Sequence, residues 1–368
     1  MRGVATFAGQ RPPTPLPNFA PQFSMDRSAV RALALPCVVA ALAGPAGAAE
    51  ELFQARAEGQ PVVLAAGERS TWVEEGGARA SVELPVGAWV NRVEALEDGW
   101  VAGGSRTFGE RRELFLIGRR GERTAEIAPP PSEGMANRHG AVPLVDAGRL
   151  VGAAWLEGEA PSSLSVRAAA GDETGWSRIE TVSPSSLGSQ LALSGSVLDD
   201  GRWLLVWSLY DGEDSETFWS LRGYDGAWTE PAHLNPPNSV HDIAPAVVAT
   251  ATGALAAWSE LDGRDYRLRL FSFRGGEWID SGYRGGRGSL YPSFLRSGSG
   301  AVLLYRTVEL RGWTALELGE DGAPRRRALV ANESRGRPVV DHVDGELVLR
   351  PLSPAAGGVF ETVWDRLP

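Results

Sequence analysis

The chain repeats one stretch at intervals of about 50 residues, and this recurrence limits its fold more than any other feature. Residues 201–228 read GRWLLVWSLYDGEDSETFWSLRGYDGAW and residues 253–278 read GALAAWSELDGRDYRLRLFSFRGGEW. Each copy opens on a Gly and runs through apolar residues to Trp-Ser (Trp207 and Ser208, Trp258 and Ser259). An Asp-Gly-x-Asp turn (Asp211 to Asp214, Asp262 to Asp265), an alternating stretch, a Gly-rich turn and a closing Trp follow. Such a unit is a small sheet that cannot cover its own faces, so copies must stack against one another.

The glycine that opens the second strand recurs at Gly99, Gly148, Gly201, Gly253, Gly300 and Gly345, with spacings of 49, 53, 52, 47 and 45. That period suits a propeller blade of four strands. Apolar runs of 4–7 residues bounded by Gly, Pro, Asp and Ser read as strands, and no window holds a helical period. Trp176, Trp228 and Trp278 fall in phase at the entry to the outermost strand, where a large ring covers a blade edge. Residues 78–87 are expected to pair with the C-terminal unit and so remove two free edges. Residues 51–77 form either an extra hairpin or, with 78–87, a seventh blade. The expected fold is an all-β, six-bladed β-propeller closed by an N-terminal strand, with seven blades as the alternative.

Over residues 189–280 the unit resembles the repeats of secreted bacterial proteins with sialidase-like propellers. The resemblance implies six blades. The Asp box of that family survives only as Asp225-Gly226-Ala227-Trp228, without its serine and its spacing, and its Arg-Ile-Pro motif occurs nowhere. What the resemblance implies is therefore a fold rather than an activity.

Residues 25–48 place Arg27 and Arg31 before an apolar run broken by Pro36, with Ala46-Gly47-Ala48 as a small-residue cleavage signal. This is the layout of a secretory signal peptide, preceded by an upstream extension over 1–24 and followed by the propeller from residue 49. The sole cysteine, Cys37, lies inside the signal, so the exported chain has no disulfide and is expected in the periplasm or outside the cell. All 36 basic residues are arginine, which removes lysine Schiff bases and a phosphate-loop lysine. With 46 acidic residues the net charge is −10, against nucleic-acid binding.

In a propeller the loops before each innermost strand and after each second strand share one face around the channel. Arg138, His241, Asp242, Glu260, Tyr291, Arg306 and Arg337 are the candidate ligand-binding residues there. No nucleophile–base set is evident, and the four histidines lack metal-ligand spacing, so neither a metal nor another cofactor is expected. The expected role is recognition of a glycan, a peptide or an exported partner protein by a monomer with no membrane span in the mature chain. The alternative is a sialidase-like glycoside hydrolase, with Tyr291, Glu260 and the arginines as its working groups.

Overall fold

The computed structural model describes residues 51–56, 61–66, 71–75, 78–121, 123–132, 134, 136–308, 311–331, 337–343, 346–350 and 364–366. The upstream extension, the signal peptide, Cys37 and Gly345 lie outside them. No α-helix occurs among the described residues, hence none long and apolar enough to cross a membrane. Six small antiparallel sheets form a six-bladed β-propeller. From blade one to blade six the innermost strands are Glu51–Gln54, Ala88–Leu96, Asn137–Asp146, Ser189–Val197, Asp242–Thr250 and Ser289–Ser297. The second strands are Val62–Ala66, Gly99–Phe108, Arg149–Gly158, Trp203–Tyr210, Gly253–Asp262 and Gly300–Thr307. Within a blade, consecutive strands pair through tight turns. Ala147-Gly148 and Gly275-Gly276 have positive φ at both central positions, the twist a two-residue hairpin requires.

The core lies in the seams between blades. Val62, Leu64 and Val73 of blade one meet Val93, Trp100 and Phe115 of blade two. Leu114 and Leu116 continue to Trp155 of blade three. Trp207 closes the seam from three to four, Trp258 that from four to five, and Phe294 and Tyr305 that from five to six. The second strands are apolar on both sides because each touches two neighbours. The in-phase outer tryptophans also reach between blades. Trp176 Nε1 donates to Ala128 O at 2.6 Å, and Trp228 Nε1 to Glu180 Oε2 at 2.7 Å. Trp278 packs edge-on to Trp219 of the preceding blade, with centroids 6.1 Å apart.

Closure differs from the expected pairing. Residues 78–81 are the outer strand of blade one, Ala78–Ser81, which pairs with Thr71–Glu75 rather than with the C-terminal unit. The segment 51–77 is accordingly neither an extra hairpin nor a seventh blade; its strands build a blade of the six. The C-terminal unit reduces to a hairpin, Val339–Val343 with Glu346–Arg350, while Trp364–Arg366 pairs with the outer strand Pro324–Ala331 of blade six. The hairpin sits at the seam of blades six and one: Val340, Leu347 and Leu349 pack on blade six, and Val339 on Leu52 and Val63 of blade one. An N-terminal strand does close the ring, but it is Glu51–Gln54. Gln54 clamps Val340, its Oε1 accepting from Val340 N at 2.9 Å and its Nε2 donating to Val340 O. Beyond it, Arg56 forms a parallel bridge to Arg296 of blade six.

Gln54 is buried and holds the two ends of the chain together, so Gln54→Leu orphans a backbone N–H and C=O in the seam. Each orphaned group costs about 1–3 kcal/mol. Urea unfolding is expected to show a loss in this range or above it; an unchanged midpoint would mean that the ring is not held at this point.

Candidate functional site

The channel takes its shape from a detour in the inner strands. In blades three to six, two inner-strand residues stand opposite one aromatic residue of the second strand: Trp155, Trp207, Trp258 and Tyr305. These four rings are at most 3% exposed. The first residue of each bulge is left-handed: Gly140 (φ 63°), Ala192 (47°), Ala244 (53°) and Tyr291 (56°). That conformation costs a non-glycine residue about 1–2 kcal/mol and persists only where the surroundings dictate it. Blade two carries a bulge at the corresponding place, between Val90 and Arg92 opposite Gly104 and Gly103, so the bulge recurs whether or not an aromatic residue stands opposite it. Pro245 and Pro292, which follow two of the left-handed residues, lack the N–H that the bulge would leave unpaired.

A cavity of about 290 Å³ occupies the channel near the loop-bearing face, walled by five of the six inner strands. Phe53, Tyr291, Phe294 and Trp313 supply aromatic surface, and Asn91, Ser194, Ser208, Ser215 and Ser293 supply short polar groups. Several of these are already engaged. Ser194 Oγ accepts from Val247 N at 3.2 Å, and Ser208 Oγ donates to Asp242 O at 2.9 Å. The charged residues of the wall are Arg92 and Arg337, and no carboxylate is among them. On the same face, Val86, Trp89 and Phe108 of blade two are 94%, 43% and 68% exposed, with the Arg112 guanidinium 5.1 Å over the Trp89 ring.

Of the residues singled out in the sequence, Tyr291 and Arg337 line this cavity. Arg138 and Asp242 lie beneath the face. Each stands two positions before the left-handed residue of its blade, as Gln190 and Ser289 do, and all four are buried. Each holds the loop that precedes its strand. Arg138 Nη1 donates to Pro130 O at 2.6 Å, Gln190 Nε2 to Gly188 O at 3.2 Å and Ser289 Oγ to Gly286 O at 2.6 Å. Asp242 Oδ2 accepts from Asn235 Nδ2 at 3.1 Å and from Asn238 Nδ2 at 3.4 Å. Burial lowers the Arg138 pKa, against the pull of Glu157 and Glu113. Glu260 is tied to Arg269, which also bonds Asp280. Arg306 is exposed on the second strand of blade six, and His241 is half-buried, its carbonyl accepting from Leu261 N at 2.9 Å. Among the described residues, no group of three or more His, Cys, Asp or Glu is arranged to hold a metal ion.

Sequence reasoning missed Glu216, and Ala192 and Ala244, which are silent as residue types. Glu216 is 5% exposed and Asp242 0%, and Asn238 joins them, its backbone N donating to Glu216 Oε1 at 2.8 Å. Burial pushes both carboxyls up to about 7; Glu260 and Glu216 add to the rise at Asp242, and Asp214, Asp211 and Glu260 to that at Glu216. The Asn235 amide partly opposes this at Asp242, as the Asn238 backbone N–H does at Glu216. The Trp258 indole faces Asp242, yet neither Trp258 Nε1 nor Asp242 Oδ1 completes a hydrogen bond.

A carboxyl whose pKa is raised on folding binds its proton more tightly folded than unfolded, so stability falls as pH rises through the window between the two values. For Asp242 and Glu216 that window runs from the ordinary carboxylate range, about 4, to about 7. Thermal melts of the wild type are expected to lose stability across it. Asp242→Asn combined with Glu216→Gln should flatten that slope; a slope left intact would assign it to other groups.

No protein-family model matches the chain, and no curated protein does. Among solved structures it is similar to the fucose-specific lectin from Aleuria aurantia, at 9% identity and a TM-score of 0.48, over 79% of this chain and 97% of the lectin. It is also similar to the GH93 α-L-arabinofuranosidase of Fusarium graminearum bound to arabinobiose, at 10% identity and a TM-score of 0.48, over 77% and 94% of the two chains. A third is oligogalacturonate lyase from Vibrio parahaemolyticus, at 8% identity and a TM-score of 0.49, over 81% of each chain. The solved structures similar to it thus include a lectin and a glycoside hydrolase of propeller fold.

Proposed function

We propose that the chain is a glycan-binding propeller whose ligand enters the central cavity from the loop-bearing face. The observation that carries this reading is the cavity wall, which combines aromatic rings with short hydroxyl and amide groups and with arginine. A sugar ring presents an apolar C–H face and a rim of hydroxyls, and such a wall meets both. Concave sites with a few convergent polar groups on an apolar lining are the usual form of small-ligand pockets. Trp89 and Phe108, exposed on the same face, extend the aromatic surface toward the solvent for further sugar units. A site on inner strands is also more rigid than one on loops, which favours recognition.

A second reading, glycoside hydrolysis of the sialidase type, is favoured by one observation: Tyr291 and Arg337 share the cavity. A tyrosine nucleophile needs a carboxylate partner. Glu260, the candidate for that part, is bound to Arg269.

Screening on a glycan array, followed by titration of the positive sugars, separates the readings. Binding should raise the unfolding free energy by about 2.7 kcal/mol at a ligand concentration of 100 Kd, without turnover, and Trp313→Ala should weaken it. Absence of binding to every glycan would end the proposal. Hydrolysis of a sialoside or another glycoside that is lost in Tyr291→Phe would replace it with the second reading.

A further inference from the structure

We infer that the central cavity is an anion site, and that its ligand carries a carboxylate held against Arg337. The inference rests on the glycan reading for the nature of the rest of the ligand, a sugar acid of the uronate type.

The chain as a whole is acidic, with 46 acidic residues against 36 basic. The cavity reverses that sign: its wall holds Arg92 and Arg337 and no aspartate or glutamate. Arg92 is answered by Glu94, with Nε to Oε1 at 2.7 Å. Arg337 has no such answer among the described residues. Its hydrogen bond runs from Nη1 to the Leu52 carbonyl at a long 3.3 Å, and its Nε is buried without an acceptor. Burial, reinforced by Arg92, lowers its pKa to about 10, which still leaves it protonated at neutral pH. Arg337 as a whole is half-buried, and a cation partly withdrawn from water without a counter-charge is destabilising, while arginine cannot escape by losing its proton.

A purely structural role does not account for the charge. Holding the Leu52 carbonyl at the closing seam needs one neutral donor, and the neutral Gln54 does similar work on Val340 beside it. What a guanidinium adds is a positive charge and several donors in one plane, the geometry that matches a two-oxygen anion. One unanswered cation balances one negative charge. A carboxylate therefore fits better than a phosphate dianion, which would leave a charge of its own uncompensated.

The test is calorimetric titration of the whole exported chain with D-glucuronate and D-galacturonate, each against its parent hexose, and with acetate and inorganic phosphate. The wild type should bind the uronates at least about tenfold more tightly than the hexoses, with a preference that shrinks as salt is added. Arg337→Gln should bring the ratio to near one, and Arg337→Lys, which keeps the charge at this seam, should retain part of it. Should Arg337→Gln fail to fold, the wild-type ratio and Arg337→Lys decide alone. Equal binding of uronate and hexose by the wild type would overturn the anion site and leave the glycan reading standing. Acetate or phosphate binding that no sugar ring strengthens would keep the anion site and overturn the glycan reading. No binding of any of these probes would overturn the inference.

Discussion

The bulge in the inner strands of blades two to six is the constraint on which the shape of the channel depends. In blades three to six an indole or phenol ring of the second strand stands opposite the extra residue and packs into the seam between blades. In these four blades the backbone of the inner strand crosses into the left-handed region at the bulge. Core and cavity meet at this point: the bulged residues of blades four to six line the cavity, while the rings opposite them fill the seams.

That coupling explains how much of the molecule the sequence reveals. Blades two to six were legible because each carries the Gly, the apolar run and an aromatic or Gly-rich marker at fixed spacing, and a period is visible without knowing any contact. Blade one was legible only as an alternative to an extra hairpin, because its strands are four or five residues long, carry no opening glycine and place Trp72 on the third strand rather than the second. The closing contact escaped because Gln54 and Val340 lie 286 residues apart and Gln54 bonds through its side chain rather than through a strand register.

The site divides along a similar line. Tyr291 and Arg337 could be named because they are polar residues next to inner strands. Arg138 and Asp242 satisfied the same rule, yet the alternation of a strand sends successive side chains to opposite sides, and the bulge shifts that alternation by one. Only the register tells which of two neighbours meets the channel and which is folded under the loop. Arg138, Gln190, Asp242 and Ser289 show what the hidden position is for: four different polar groups each fasten a loop of different sequence at the same structural point. The face can thus carry varied loops on a common frame.

Two departures from ordinary packing meet in one place. Tyr291 holds a backbone conformation unfavourable to any residue but glycine, and Arg337 holds a half-buried charge with no carboxylate partner among the described residues. The seams, by contrast, are filled with Leu, Val, Ala, Phe and Trp, and many surface arginines are matched to carboxylates, as Arg222 is to Glu180 and Arg269 to Glu260. Folding alone would favour glycine at position 291 and a neutral donor at 337. Tyr291 shares its left-handed backbone with Ala192 and Ala244 of the two preceding blades, so that conformation belongs to the recurring bulge. Arg337 brings to the wall a charge that, unlike that of Arg92, has no carboxylate partner among the described residues. The bulge sets Tyr291 in the cavity wall, and Arg337 gives that wall a positive charge with no carboxylate among its lining residues.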